Sequence, residues 1–286
     1  MAGNQGQGGS WALRQCVCGT AFARGAAIGD DGRVSGDAPG WANGVARLAV
    51  LTGAGISTDS GIPDFRGPNG LWTRNPAAER LSTFAVYVAD PAVRRRSWQA
   101  RLAHPAWSAT PNDAHKALAR VGAAVDTWVI TQNIDGLHQR GGSAADRVLE
   151  LHGTMFDVVC VGCGDRTEMA AALDRVRGGD DDPACLRCSG ILKSATVMFG
   201  QALDRAVLAK AVRAAQECDL MLAIGSTLTV EPAASLCAVA VDHGASLVVV
   251  NRDPTPYDDI ATEVITEPIG VAVPRIADLL LVGRLS

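Results

Sequence analysis

Four cysteines in two pairs are the residues whose types and spacing indicate chemistry most directly. Two residues separate Cys160 from Cys163, and two separate Cys185 from Cys188. Two residues between paired cysteines let both thiolates of a turn reach one metal ion, and two such turns complete a tetrahedron of sulfur. The pattern therefore predicts a closed structural zinc site, with no coordination position left for water. The alternative is a set of buried thiols or two disulfides.

A histidine comes eight residues before the first cysteine pair. His152 lies in the run Leu151-His152-Gly153, and an imidazole can act as a general base because it titrates near neutral pH. The alternative is a structural histidine in a turn. The short separation from the cysteines predicts that the metal supports a reactive centre.

Four short apolar runs have the form of buried parallel strands. They are 47–51, 127–131, 219–224 and 246–250. Helical stretches lie between them at 113–121, 203–217 and 232–243. Strands that alternate with helices predict an α/β fold with a doubly wound, Rossmann-like parallel sheet. The zinc segment, about 155–195, interrupts the alternation and is predicted to form a small inserted zinc-binding domain.

Polar sequences follow all four predicted strands. They are Gly53-Ala54-Gly55-Ile56, Gln132-Asn133-Ile134-Asp135, Gly225-Ser226-Thr227 and Asn251-Arg252-Asp253. Ligands of such sheets bind beyond the carboxyl ends of the strands, and glycines let the backbone approach a pyrophosphate. The four sequences therefore predict one extended nucleotide site. The first is not a GxGxxG, which argues against an ordinary dehydrogenase.

The composition is that of a soluble intracellular enzyme. The chain has 286 residues, of which 48% are hydrophobic and 20% charged, and its net charge is -4. Direct nucleic-acid binding is not expected, because the chain has no global basic field. Neither a signal peptide nor an apolar run of about 18 residues is present, so we expect a cytoplasmic location and no membrane association. The eight cysteines then favour metal binding over disulfides.

The first 40 residues differ from the rest of the chain. They are rich in Gly, Ala and Asp and have no sustained periodicity, which predicts a disordered tail. Cys16 and Cys18 could be half of a metal site, but no second pair is near them, so a loose tail is the favoured interpretation.

Six motifs, in order, resemble the sirtuins, a family of NAD-dependent protein lysine deacylases. The motifs are 53–66, 131–138, 151–153, the two cysteine pairs, 225–227 and 251–253. The resemblance covers about residues 45–280 and implies a catalytic domain over 41–286. Its Rossmann-like large domain would comprise about 45–72, 110–152 and 195–280, and its small domain about 73–109 and 155–195.

The resemblance also implies a reaction and roles for three catalytic residues. The acyl oxygen of acyl-lysine attacks the ribose carbon that bears nicotinamide, nicotinamide leaves, and the acyl group passes to ADP-ribose. His152 would be the general base on a ribose hydroxyl. Asn133 and Asp135 would hold the nicotinamide amide and orient water and ribose. NAD would thus be a consumed co-substrate, and zinc the bound metal.

A mobile cofactor loop is implied at Asp64, Phe65 and Arg66, with Phe65 shielding the reactive ribose face. The whole set of implied cofactor contacts is Gly53, Ala54, Gly55, Ile56, Ile62, Asp64, Phe65, Arg66, Trp72, Gln132, Asn133, Ile134, Asp135, Gly225, Ser226, Thr227, Asn251, Arg252, Asp253 and Ile269.

Substrate recognition departs from the family pattern at two places. The segment expected to pair with the substrate backbone is Val197-Met198-Phe199-Gly200, and Gln201 follows it where an acidic residue is usual. Trp98 and Arg101 align with the Tyr-x-x-Arg of members that remove succinyl or malonyl groups. Arg101 could pair with an acidic acyl group. The alternative is that it belongs to a solvated helix face.

The leading interpretation is an NAD-dependent deacetylase or deacylase that acts on proteins carrying acyl-lysine. Mono-ADP-ribosyl transfer is an alternative that uses the same cofactor residues, and desuccinylation or demalonylation is another if Arg101 lines the acyl pocket. A non-catalytic NAD-sensing module is a third. A zinc hydrolase is the weakest, because four thiolates leave the metal no open position. The sequence does not predict the oligomeric state.

Overall fold

The computed structural model describes residues 27–28, 34–35, 38–65, 67, 70–75 and 80–283. The chain divides into two compact units, Met1–Ala38 and Pro39–Ser286. In the first unit, β1 (Ala27–Ile28) pairs antiparallel with β2 (Val34–Ser35). The predicted disorder of residues 1–40 falls mostly outside the described residues, as do Cys16 and Cys18.

The second unit contains all remaining strands and helices of the described residues. The strands are β3 (Arg47–Thr52), β4 (Asp126–Thr131), β5 (Val148–Glu150), β6 (Gly153–Cys160), β7 (Arg166–Glu168), β8 (Leu192–Thr196), β9 (Leu220–Ile224), β10 (Ser246–Val250) and β11 (Glu263–Ile265). The helices are α1 (Leu71–Arg74), α2 (Phe84–Ala89), α3 (Pro91–Leu102), α4 (Asp113–Gly122), α5 (Leu137–Arg140), α6 (Met169–Arg177), α7 (Arg205–Glu217), α8 (Leu236–Asp242) and α9 (Ile269–Val282). Short 3₁₀ turns cover Gly40–Ala42, Ala54–Ser60, Pro105–Trp107, Ala145–Arg147 and Asp258–Ile260.

A six-stranded parallel sheet forms the centre of this unit, in the order β11-β10-β9-β3-β4-β5. The chain starts in the middle at β3, builds outward to β5, and then returns to build outward from β9 to β11. This order confirms the predicted doubly wound α/β fold. Its point of reversal lies between β3 and β9, where such sheets open a crevice at the carboxyl ends of the strands.

The continuous apolar runs of the central strands are explained by their burial. All five residues of β9 are buried, because helices cover both faces of a parallel sheet. α7 begins two residues later than predicted, since the Asp204 carboxylate caps it by accepting from the N–H groups of Ala206 and Val207. α8 begins at Leu236 rather than at 232. Across the described residues, no helix has the length and apolar character that a membrane span requires.

The zinc segment forms a small module with a three-stranded antiparallel sheet in the order β7-β6-β8. Its buried core includes Val158 and Met169, and Trp98 of α3 packs into the same cluster. β6 begins at Gly153, directly after His152. The module is therefore joined through β6 to the segment that follows the large sheet.

Candidate active site

The crevice between β3 and β9 is shaped by three glycines. The N–H of Gly55 donates to the carbonyl oxygen of Gly225 at 2.8 Å, and the N–H of Gly53 donates to that of Ile224 at 3.0 Å. A Cβ atom at Gly55 would lie 2.7 Å from Gly225 Cα, and Gly225 has a left-handed φ of 62°. Side chains at these positions would force the strand ends apart.

An amide, a hydroxyl and a carboxylate meet in a buried network beside this crevice. Asn133 Nδ2 donates to the Gly53 carbonyl oxygen at 3.1 Å and to Ser57 Oγ at 3.2 Å. Ser57 Oγ in turn donates to Asp135 Oδ2 at 2.8 Å. Because both hydrogens of the Asn133 amide point to these partners, its oxygen is left as an acceptor for a ligand.

Ser57 is the member of this network that the site prediction missed. It links Asn133 to Asp135, and it is almost fully buried. The signal that could have found it is its place directly after Gly53-Ala54-Gly55-Ile56, on the same turn.

The Asp135 carboxylate is held from two directions. Leu137 N–H donates to its Oδ1 at 2.9 Å, and Ser57 donates to its other oxygen. Burial raises the pKa of Asp135, and these hydrogen bonds oppose the rise. The carboxylate is therefore oriented and acts as an acceptor within the network.

His152 is oriented by the end of β4. Its Nδ1 lies 2.8 Å from the Gln132 carbonyl oxygen, which can only accept, so Nδ1 carries the hydrogen and Nε2 keeps a free lone pair. Burial lowers the pKa of His152, and the bond to Gln132 opposes this. The ring is thus a neutral base at physiological pH, with its basic nitrogen identified.

The neighbours of His152 join three strand ends. The Gln132 side chain donates to Ser226 Oγ at 2.9 Å, which ties the end of β4 to the end of β9. The N–H of Val197 donates to the His152 carbonyl oxygen at 2.8 Å. The predicted substrate segment therefore begins against the predicted base.

Several other predicted cofactor residues lie in the segment 62–72, which follows the turn after β3. Ile62 packs in a buried cluster with Leu137. Asp64 Oδ1 accepts from Gly67 N–H at 2.8 Å, and Phe65 is 41% exposed. Arg66 lies outside the described residues, and so does the side chain of Trp72, whose backbone belongs to α1.

The remaining predicted contacts follow β9 and β10 or begin α9. Thr227 Oγ1 is 2.9 Å from Thr229 Oγ1. The Arg252 guanidinium pairs with the adjacent Asp253 at the surface. Ile269 starts α9, and a Cβ atom at its neighbour Gly270 would lie 2.9 Å from Asp59 Oδ2, which places this helix end against the 54–60 turn.

The predicted substrate segment has one edge already paired. Phe199 N–H donates to the Ser82 carbonyl oxygen at 2.8 Å, and Phe84 N–H donates to that of Phe199 at 3.0 Å. On the other edge, Met198 N–H donates to Gln201 Oε1 at 3.1 Å. The residue that replaces the usual acid therefore holds the turn that closes this segment.

Trp98 and Arg101 lie on one face of α3 but in different surroundings. Trp98 is 1% exposed, in the core of the zinc module. Arg101 is half-buried, and in the described part of the chain its guanidinium makes no hydrogen bond or ion pair. Burial lowers the pKa of Arg101 to about 10. Burial, together with the nearby charge of Arg101, lowers the pKa of Lys193 to about 8.

The four cysteines converge at one point, as the spacing predicts. The sulfurs of Cys160 and Cys188 are 3.5 Å apart, those of Cys163 and Cys185 are 3.7 Å apart, and all four lie within 4.8 Å of one another. A disulfide requires about 2.05 Å, whereas four thiolates about 2.3 Å from a zinc ion are separated by about 3.8 Å. The donor set therefore fits tetrahedral zinc rather than disulfides.

Comparison with known proteins agrees with this geometry. The sequence model of the Sir2 family matches residues 53–232. "NAD-dependent protein deacetylase 2" of Streptomyces coelicolor is 56% identical over 230 residues, which cover 80% of this chain and 95% of the relative. "NAD-dependent protein deacylase" of Ralstonia nicotianae is 39% identical over 247 residues, covering 85% and 96%. A solved complex of Sir2, a p53 peptide and NAD+ has 34% identity and a TM-score of 0.75, covering 86% of this chain and 97% of that one. The chain belongs to the Sir2 family.

Proposed function

We propose that this protein is an NAD-dependent lysine deacylase that transfers the acyl group of acyl-lysine to ADP-ribose and releases nicotinamide. The observation that carries the proposal is the bond from His152 Nδ1 to the Gln132 carbonyl oxygen. It leaves Nε2 as the base, next to strand ends that could hold a dinucleotide. Relatives named as NAD-dependent deacetylases and deacylases support the same activity.

Each residue has a role that its contacts support. His152 Nε2 accepts a proton from a ribose hydroxyl. The Asn133 amide oxygen, left over after both hydrogens are donated, accepts from the nicotinamide carboxamide. Asp135 and Ser57 hold that amide in place. Phe65, with Arg66, shields the reactive ribose from water, so that the acyl oxygen rather than water attacks.

Zinc has a structural role in this proposal. Four thiolates close its coordination sphere, so the metal supplies no bound water and no Lewis-acid position. It holds the module that begins with β6, and with it the position of His152.

Nicotinamide release tests the proposal. Purified protein is given NAD with matched acetyl-lysine, succinyl-lysine and unmodified lysine peptides. We expect release to require an acyl peptide, and His152→Ala to abolish it. His243→Ala is the matched control, because His243 is exposed and its ring lies at the surface, where Nδ1 bonds to the Val239 carbonyl oxygen of the same helix. Release indifferent to the acyl group would favour ADP-ribosyl transfer, and no release with any peptide would favour a sensing module.

An acidic acyl group is a second candidate substrate, which one observation favours. The Arg101 guanidinium, which has no hydrogen-bond or ion-pair partner among the described residues, lies within electrostatic reach of the Lys193 ammonium. Lys193 donates to the carbonyl oxygens of Ser194 and Thr196 at 2.8 and 2.6 Å, just before the substrate segment. Two neighbouring cations attract a carboxylate. Arg101→Met should then lower activity on succinyl-lysine peptide far more than on acetyl-lysine peptide; equal losses would refute acidic recognition.

The proposed partners are proteins that carry acyl-lysine. A cytoplasmic location, the absence of direct nucleic-acid binding and the division into large and small domains remain predictions. The cysteine usage supports the cytoplasmic location, and the net charge of -4 supports the absence of nucleic-acid binding. The core that α3 shares with the zinc module supports a small domain built from both segments.

A further inference from the structure

Two buried histidines pack beneath the network of Asn133, Ser57 and Asp135. His115 of α4 and His138 of α5 meet edge to face, with ring centroids 4.9 Å apart. They are 0% and 1% exposed. Burial lowers the pKa of His115 to about 4 and that of His138 to about 3, so both rings are neutral at physiological pH.

The tautomer of His138 follows from its partner. The Thr52 hydroxyl donates its single hydrogen to Thr131 Oγ1 at 2.8 Å. His138 Nε2 lies 2.9 Å from the same Thr52 oxygen. Because that hydroxyl has no second hydrogen to give, Nε2 must carry the hydrogen and donate it. His138 is therefore the Nε2–H tautomer, and its Nδ1 is a bare acceptor.

The hydroxyl chain continues to Asn133. Thr131 Oγ1 also accepts from the backbone N–H of Asn133 at 3.0 Å. Hydrogen bonds in a buried chain of this kind strengthen one another. The chain from His138 through Thr52 and Thr131 thus holds the backbone of Asn133 where it leaves β4. From that point the Asn133 amide reaches Gly53 and Ser57.

The neighbouring His115 has a different partner. Asn112 Nδ2 donates to the Ile56 carbonyl oxygen at 2.8 Å, so Asn112 Oδ1 is an acceptor, and His115 Nδ1 donates to it at 2.9 Å. This histidine therefore belongs to the start of α4 and makes no bond to Thr52 or Thr131 in the described part of the chain.

Each ring leaves one nitrogen without a hydrogen-bond partner among the described residues. The atoms are His115 Nε2 and His138 Nδ1. A buried polar atom without a partner lowers stability, and a leucine at position 138 would avoid that cost. What leucine cannot supply is the Nε2–H that Thr52 accepts. The imidazole at 138 is thus explained by this donor rather than by packing.

We propose that His138 is a positioning residue, whose Nε2–H sets the placement of Asn133 through Thr52 and Thr131 and so orients the Asn133 amide toward nicotinamide. The inference rests on the proposed function, in which Asn133 holds the nicotinamide carboxamide. His138 itself touches no substrate.

Kinetics of three variants test the proposal. His138→Leu removes the donor. We expect kcat to fall about ten-fold, since small misplacements near the reacting atoms reduce the rate strongly. The nicotinamide concentration needed for inhibition should rise by a similar factor. The KM for the acyl peptide should stay within about two-fold, because Asn133 is not part of the peptide segment. His138→Gln places an amide N–H near the position of Nε2 and should restore most of the rate.

His115→Leu is the matched control. It removes a buried imidazole from the same pair without touching Thr52. We expect the two leucine variants to have similar melting temperatures, while kcat and nicotinamide inhibition of His115→Leu stay within about two-fold of the native values. Equal kinetic losses in the two leucine variants, or no rescue by glutamine, would overturn the proposal, because both would indicate a packing role alone.

Nitrogen NMR of the imidazole rings gives a readout that does not depend on catalysis. In the unliganded native protein at neutral pH, His138 should carry its hydrogen on Nε2. A hydrogen on Nδ1 would overturn the proposal. If the native protein releases no nicotinamide with acyl peptides, it is the proposed function that fails, and the NMR result still decides the tautomer.

Discussion

At the scale of single residues, orientation decides which nitrogen of His152 is free to accept a proton in the proposed reaction. Its Nδ1–H is fixed to the Gln132 carbonyl oxygen, so only Nε2 can take a proton. Burial keeps the ring neutral by lowering its pKa. A neutral imidazole with a fixed orientation can accept a proton near pH 7 without further activation.

The pH dependence of the reaction follows from that pKa. His152 acts as a base only when neutral, so the rate should fall as the pH falls through its pKa. Because burial places this pKa below the ordinary value of 6.5, the acid limb of kcat/KM should have its midpoint below pH 6.5. A pH series of nicotinamide release measures it, with His243→Ala as the control that leaves the limb unchanged. A midpoint above 6.5 would contradict the buried, neutral base.

Ser57 provides a second prediction at this scale. Its hydroxyl accepts from Asn133 and donates to Asp135, so Ser57→Ala leaves a buried amide hydrogen and a carboxylate oxygen without that partner. We expect kcat/KM to fall by about ten-fold or more. Ser108→Ala, which removes an exposed hydroxyl bonded to the Pro105 carbonyl oxygen, should leave activity unchanged. Native activity in the Ser57 variant would exclude a role for this link.

At the scale of elements, the strand ends make the site because three glycines let them meet. β3 and β9 are adjacent at the point where the sheet order reverses, and the backbone of Gly55 bonds directly to that of Gly225. Because backbone rather than side chains lines this crevice, a pyrophosphate can approach the backbone N–H groups closely.

The glycine contact can be tested with one added methyl group. Gly55→Ala places a Cβ atom 2.7 Å from Gly225 Cα, a backbone atom that cannot move alone. We expect the variant to lose about 1–3 kcal/mol of the free energy of unfolding and to show a raised KM for NAD. Gly40→Ala is the control, because a Cβ atom there would meet nothing within 4 Å. An unchanged KM and stability would contradict the close approach of the strand ends.

The packing of α4 on α5 makes stability depend on pH. His115 and His138 have folded-state pKa values of about 4 and about 3, below their ordinary 6.5. Below pH 6.5 both histidines are protonated in the unfolded chain but stay neutral in the folded protein. The free energy of unfolding therefore falls as the pH falls toward the folded-state pKa values, by about 1.4 kcal/mol per pH unit for each ring. Urea unfolding of native protein and His115→Leu between pH 6 and 4.5 checks this. The variant should have the shallower slope, and equal slopes would refute it.

At the scale of the whole molecule, the cysteine cluster and the proposed base, His152, lie at opposite ends of one strand, β6. β6 begins at the residue after His152 and ends at Cys160. The module core includes Trp98 of α3 as well as Val158 of β6. One continuous strand therefore connects the cysteine cluster to His152, so folding of the module around the metal also fixes the position of that histidine.

Loss of a zinc ligand tests this coupling. Serine does not replace a thiolate as a zinc ligand, so Cys163→Ser should lose the bound metal, about one zinc ion per chain. Without the metal, the melting temperature should fall and most of the activity should be lost. Zinc content, thermal unfolding and nicotinamide release measure the three effects. Cys237→Ala, which removes a buried thiol outside the cluster, should keep its zinc. Full activity in a zinc-free Cys163 variant would show that module and base are independent.

The sequence by itself determined the parts of this protein that depend on local patterns. Apolar runs and their polar ends predicted β3, β4, β9 and β10 to within a residue, because a strand buried on both faces must be apolar throughout. The cysteine spacing predicted the metal cluster, since two residues fix the reach of a turn. The shorter strands β5 and β11 were missed, because three residues carry too little periodicity.

Only the tertiary structure decided which of these residues act together. Ser57 joins Asn133 to Asp135, and His138 reaches Thr52, across 76 to 86 residues of chain. The choice of tautomer in His152 and in His138 depends on which carbonyl or hydroxyl oxygen lies beside the ring. Such contacts are set by the order in which parallel strands assemble into a sheet, and a local pattern of residues does not specify that order.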